Sequence, residues 1–125
     1  LKITIADIQQ INSHFASWRL GKEVEFISLS PFKKNLTQKY DKIFLITVLE
    51  HLPNPLEVIK ELKNALNNNG LLIFDYIKSE GQGLDTVEAV NERAEVLSYI
   101  SIHFDIIVGE LKEGESMGTT VAKIK

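Results

Sequence analysis

At 125 residues, 44% of them hydrophobic and 25% charged, the chain has the length and composition of one domain that buries a core without metals or disulfides. It has no cysteine, which excludes a disulfide framework and a thiolate zinc site and fits a reducing cytoplasm. The net charge is −3 with Lys and Arg scattered, so no basic stripe for nucleic acid is expected, and no apolar run approaches the roughly 20 residues that span a bilayer. The opening residues 1–7 (LKITIAD) lack the basic flank of a signal peptide and begin inside a strand-like run, which points to a piece upstream.

Residues 2–7 (KITIAD) are a β-branched run ending on an acid and predict a strand. Ile8, Ile11, Phe15 and Trp18 recur at helical spacing ahead of Gly21. They predict an amphipathic helix over about residues 8–19 with Phe15 and Trp18 in the core. Residues 24–29 (VEFISL) predict the second strand. The polar loop 30–39 (SPFKKNLTQK) follows, with Pro31 and with Lys33, Lys34 and Lys39 as a solvated edge.

Residues 42–47 (KIFLIT) are nearly all apolar and read as a central strand buried on both faces. A helix start follows in which Asn54 caps, Pro55 takes the first helical position and Glu57 bonds back to the cap. Leu56, Ile59, Leu62, Ala65 and Leu66 supply its buried face, and Gly70 is expected to end it in a left-handed conformation. Residues 71–77 (LLIFDYI) predict another buried strand. Beyond a loop bracketed by Gly81 and Gly83, Asp85 and Glu88 repeat the capping-box pattern. Val87, Val90, Ala94, Leu97 and Ile100 then keep helical spacing to about His103. Residues 104–111 (FDIIVGEL) and 119–124 (TTVAKI) predict strands whose connector is too short for a parallel crossover, so they form an antiparallel hairpin. His14 and His103 read as surface residues.

The order β-α-β-β-α-β-α-β-β is that of a three-layer α/β fold, parallel except for its last strand. Ligands of such sheets bind outside the carboxyl ends of the strands, where Glu50 and His51 lie. An unrelated doubly wound module such as a receiver domain would want an acidic cluster at the strand ends, which the single Asp7 does not supply.

The run FLITVLEHLPNPLEVIKELKNALNNNGLLIFDY resembles class I S-adenosylmethionine-dependent methyltransferases of the type 11/23-like group. The matching pieces are Val48-Leu49-Glu50-His51-Leu52 after the family's fourth strand, Pro53-Asn54-Pro55 at the helix start, and Asn67-Asn68-Asn69-Gly70 at its end. The terminal hairpin also matches the family's antiparallel last strand. The resemblance implies a three-layer Rossmann-like sheet, the cofactor S-adenosylmethionine, and a small-molecule acceptor or a small group attached to a larger one. It makes residues 2–7 the family's second strand and Asp7 the acid that accepts bonds from the ribose hydroxyls; as a sequence feature alone, Asp7 also reads as a helix cap. Ile8 would pack on the adenine or belong to the core. Ser28, Leu29 and Ser30 stand where the family usually carries an acid for the adenine, a departure that weakens this site. Ile46 and Thr47 would line the methionine side of the cofactor. Glu50 and His51 would sit at the lip of the active site, with two roles open for His51: proton acceptor, or fixing the strand–helix corner.

The family's Gly-rich loop after its first strand has no counterpart, since the only G-x-G is Gly81-Gln82-Gly83. The expectation is therefore a C-terminal portion of the family fold lacking the first strand, which an upstream segment, a homodimer or a second chain would supply. Alone, it should bind the cofactor weakly or not at all. The other reading is a non-catalytic methyltransferase-like subunit. Residues 78–85 (KSEGQGLD), with Gly81 and Gly83 as hinges, read either as a mobile loop over the acceptor or as an ordinary connector.

Overall fold

Strand-forming β-branched runs and capped apolar helices alternate along this chain, and its computed structural model describes residues 1–8, 11–30, 36–79 and 83–125. Pro31, Lys33, Lys34 and Gly81 lie outside the described residues. The chain divides into two units, Leu1–Thr37 and Gln38–Lys125.

The first unit holds β1 (Ile3–Ile8), α1 (Ile11–Leu20), a 3-10 turn (Gly21–Glu23) and β2 (Val24–Leu29). The two strands pair in parallel, from Ile3 opposite Val24 to Ile8 opposite Leu29. Across them Thr4 Oγ1 donates to Glu25 Oε2 at 3.1 Å, and Lys2 pairs with Glu25 at 3.0 Å. The helix begins later than the apolar spacing predicts, because Ile8 continues the strand. A second expectation fails here. Phe15 is 55% exposed and Trp18 78%, so neither is core. A sheet of two strands, roughly 5 Å apart, is too narrow to cover the whole stripe. The helix instead half-buries Ser13 and Ala16, and Phe15 and Trp18 rest on each other with ring centroids 5.6 Å apart.

The second unit contains β3 (Tyr40–Leu45), a 3-10 turn (Leu49–His51), α2 (Pro55–Ala65), β4 (Leu66–Tyr76), α3 (Val87–Asn91), α4 (Arg93–His103), β5 (Phe104–Val108) and β6 (Met117–Ile124). The sheet order is β3-β4-β6-β5, with β3 and β4 parallel and β6 antiparallel to both neighbours. The expected hairpin and antiparallel last strand are both present. Leu72 and Phe74 of β4 are fully buried and share a face with Ile43 and Leu45 of β3. Ile59 and Leu62 of α2 and Val96, Leu97 and Ile100 of α4 complete this core. Each such side chain contributes roughly 1.5–3 kcal/mol.

Burial of β3 on both faces is not observed. Phe44 is 68% exposed, although Ile73 beside it in register is 9% exposed. Among the described residues, the side of β3 that carries Phe44 is thus open while the neighbouring position on β4 is closed.

Further local expectations are also corrected. Asn54 occupies the cap position of α2 without a side-chain bond to the helix. Its place is taken from a distance by Glu92, whose Oε2 accepts the Leu56 N–H at 3.1 Å, while Glu57 pairs with Lys60 at 2.7 Å. The helix ends at Ala65, before Gly70, and Lys39 Nζ donates to the Asn64 carbonyl there at 2.6 Å. The left-handed residue is Asn69, with φ 65°; Gly70 is needed because a Cβ would stand 2.9 Å from the Asn67 carbonyl oxygen. Thr86, not Asp85, caps α3 by accepting the Ala89 N–H at 3.0 Å. The long helix also breaks at Glu92, leaving Val87 and Val90 exposed. His14 is exposed as expected, whereas His103 is half-buried with its ring 4.2 Å from that of Tyr99. Among the described residues, no helix is long and apolar enough to cross a membrane.

Candidate functional site

The predicted site residues fall at the carboxyl ends of parallel strands, one group in each unit. In the first, Asp7 and Ile8 end β1 and lie opposite Ser28 and Leu29 of β2. Asp7, Ile8 and Ser28 are exposed and Leu29 is half-buried. Asp7 Oδ1 accepts the N–H of Ile8 at 2.8 Å. Being inside β1, four residues ahead of α1, it does not cap that helix.

In the second unit, Ile46 and Thr47 follow β3 and are exposed. Thr47 has φ 55°, a left-handed conformation that a β-branched residue adopts at a cost of about 1–3 kcal/mol. The buried carboxylate of Asp75, on β4, accepts the Thr47 N–H at 2.7 Å and holds that conformation. Sequence reasoning passed over Asp75, although an acid inside the apolar run LLIFDYI is a signal for a buried polar role.

The chain then enters the 3-10 turn that carries Glu50 and His51. Glu50 is only 1% exposed, and its main-chain carbonyl accepts the Thr86 N–H at 2.9 Å. Burial pushes its carboxyl above the ordinary range, with the negative charges of Asp75 and Asp85 adding to the effect against its own backbone bond and His51. Oε1 lies 3.8 Å from His51 Nε2, and Oε2 has no hydrogen-bond partner among the described residues. His51 Nδ1 lies 2.9 Å from the carbonyl of Leu84. A carbonyl only accepts, so Nδ1 carries a proton there, and it is the neutral form of the ring that offers Nε2 as an acceptor. The corner-fixing and proton-accepting roles of His51 are therefore compatible: one nitrogen anchors, the other is available.

Behind Glu50 a cavity of about 320 Å³ is walled by Tyr76, Asp85, Ala89, Val90 and Arg93. Arg93, buried at 6% exposure, was not singled out from the sequence. Its Nη2 donates to the carbonyls of Tyr76 at 3.0 Å, Lys112 at 3.0 Å and Glu115 at 2.6 Å, and its Nε to that of Glu113 at 2.9 Å. The guanidinium also lies 4.3 Å from the centre of the Tyr76 ring. Tyr76 donates its hydroxyl to the Ala89 carbonyl at 2.6 Å, and burial pushes its phenol up to about 12. Asp85 accepts the Ser79 N–H at 2.8 Å through Oδ2, while its Oδ1 is buried without a partner. Burial opposes the charge on Asp85, but the bonds from Ser79 and the nearby cations hold its carboxyl below the ordinary range. Of the predicted mobile loop, Gly83 has φ 65°, a left-handed conformation that glycine adopts at far less cost than other residues. No group of three or more His, Cys, Asp or Glu among the described residues could hold a metal ion.

Residues 2–105 match a protein family described as a methyltransferase domain. A curated relative, the tRNA U34 carboxymethyltransferase of Campylobacter curvus, is 35% identical over 72 residues, covering 56% of this chain and 23% of its own length. The ubiquinone biosynthesis O-methyltransferase of Histophilus somni is 28% identical over 81 residues, covering 62% of this chain and 34% of its own. The chain thus spans only a quarter to a third of these relatives. Among solved structures, the N-methyltransferase NodS of Bradyrhizobium japonicum WM9, in complex with S-adenosyl-L-homocysteine, superposes with a TM-score of 0.70 at 12% identity, covering 98% of this chain and 66% of that one. The likeness establishes a Rossmann-like α/β fold of the methyltransferase kind.

Proposed function

The chain belongs to the methyltransferase domain family, and from that premise we propose that it serves S-adenosylmethionine-dependent methyl transfer as the C-terminal portion of a longer cytoplasmic enzyme. The observation that carries this reading is the strained Thr47, held by Asp75 at the carboxyl end of β3, three residues before the buried Glu50. Strain fixed by a buried hydrogen bond belongs where backbone must meet a ligand. Ile46 and Thr47 would face the methionine part of the cofactor. Asp7 and Ile8, with Ser28 and Leu29, would take the ribose and adenine. The residues fit the group: an exposed carboxylate at a strand end accepts from two adjacent hydroxyls, and serine stands in for an acid beside the adenine.

Bound S-adenosylmethionine supplies the electrophilic methyl group. The chain's own contribution is to position the acceptor, with His51 Nε2 accepting its proton and Glu50 stabilising the charged imidazole. The acceptor is a small molecule or a small group attached to a larger one, and the first strand comes from an upstream segment or from a second chain in a dimer.

Calorimetric titration of S-adenosylmethionine into the full-length protein that carries this sequence tests the reading. Binding is expected, and Asp7→Ala should weaken it by about tenfold or more through the lost charge-assisted bonds. His51→Ala should slow transfer with little change in cofactor affinity. An absence of cofactor binding overturns the assignment, and binding indifferent to Asp7→Ala removes Asp7 from the site.

A further inference from the structure

Two carboxylate oxygens beside one cavity lack what they need. Glu50 Oε2 and Asp85 Oδ1 are both buried and neither has a hydrogen-bond partner among the described residues. Both side chains line the same space of about 320 Å³. Glu50 is 1% exposed, so bulk water does not meet its demand.

The cations of this wall are committed elsewhere. Arg93 directs its nitrogens at the carbonyls of Tyr76, Ile77, Lys112, Glu113 and Glu115. Lys78 Nζ donates to the Gly114 carbonyl at 3.0 Å. Tyr76 spends its one hydroxyl proton on Ala89. The Asn91 amide and the remaining Lys78 protons also border the cavity, yet no bond from either reaches Glu50 Oε2 or Asp85 Oδ1, so these two acceptors stay unmet beside an apolar wall formed by Ala89, Val90, Ala94 and the Tyr76 ring.

We propose that this cavity binds the ammonium group of a small organic amine, with Glu50 and Asp85 accepting its N–H bonds and the apolar wall holding its carbon frame. An ammonium carries three donors and no acceptor, so it satisfies both oxygens at once and matches their charge; a hydroxyl brings one donor and no charge, and a carboxylate is repelled. Taking the amine as part of the methyl acceptor rests on the methyl-transfer reading above, whereas the binding site itself stands on the cavity.

The probes are benzylammonium, benzyl alcohol and benzoate, matched in shape and different in charge. Each is titrated without cofactor at neutral pH, followed by NMR shifts of the Ala89 and Ala94 methyl groups. Benzylammonium should bind about tenfold tighter than benzyl alcohol, with benzoate weakest. Glu50→Gln and Asp85→Asn, close in size to the parent residues, should each remove most of that preference. Equal binding of the three probes to the parent protein, or benzylammonium shifts that avoid both methyl groups, overturns the proposal whatever the variants do. An ammonium preference kept in both variants does the same. Failure of this ordering leaves the cofactor titration unaffected, and failure of cofactor binding leaves the ammonium site standing.

Discussion

The two units use the same backbone idea with opposite results in burial. Each contains a parallel strand pair: β1 with β2 in Leu1–Thr37, and β3 with β4 in Gln38–Lys125. Each carries a helix with an apolar stripe, Ile11, Phe15 and Trp18 on α1 and Leu56, Ile59 and Leu62 on α2. Yet every buried residue among those described lies in the second unit, and Trp18 is 78% exposed where Ile59 is 0%. A stripe fixes which way a helix would pack, but a surface wide enough to receive it decides whether it does. In the second unit four strands and two longer helices provide that surface; in the first, two strands do not.

The sharpest way to test that contrast is Phe74→Ala. Phe74 is 0% exposed at the centre of the second unit's core, so its truncation should lower unfolding stability by about 3–5 kcal/mol, read from urea midpoints. A loss below about 1 kcal/mol would mean that this core is not closed in solution. Next in size is Arg93→Leu. It strips donors from the carbonyls of Tyr76, Lys112, Glu113 and Glu115 and should cost about 1–3 kcal/mol, with faster amide exchange around residues 112–116. Unchanged exchange there would show that water or other donors replace the guanidinium at no cost.

How far the sequence foretold these features depends on how local their causes are. The order of the strands, the first two helices, the antiparallel hairpin and the corner at Glu50 and His51 were legible, because period and turn lengths act over a few residues. Asp75 and Arg93 were not, since their roles depend on partners such as Thr47, Lys112 and Glu115 that lie far along the chain. The capping of α2 fails in the same way. Asn54, Pro55 and Glu57 present a complete local signal, but the acceptor for the Leu56 N–H comes from Glu92, at the break between α3 and α4. Glu92→Ala should therefore destabilise the protein by about 1 kcal/mol, while Asn54→Ala should fall well short of that. Reversal of the two in thermal melts would restore the local cap.

The smallest effect is expected from Trp18→Ala, and it bears directly on the contrast between the units. An indole that is 78% exposed, with Phe15 as its ring partner at 5.6 Å, has little burial to lose. The substitution should change stability by less than about 0.5 kcal/mol, as for surface positions generally. Trp18 is the only tryptophan, so its fluorescence reports the same exposure independently: its emission should lie at the red, water-exposed end and be readily quenched by iodide. A loss above 1.5 kcal/mol, together with blue-shifted emission, would mean that the stripe of α1 is covered in solution, by an upstream segment or a second chain. The two units would then differ only in where the covering surface comes from.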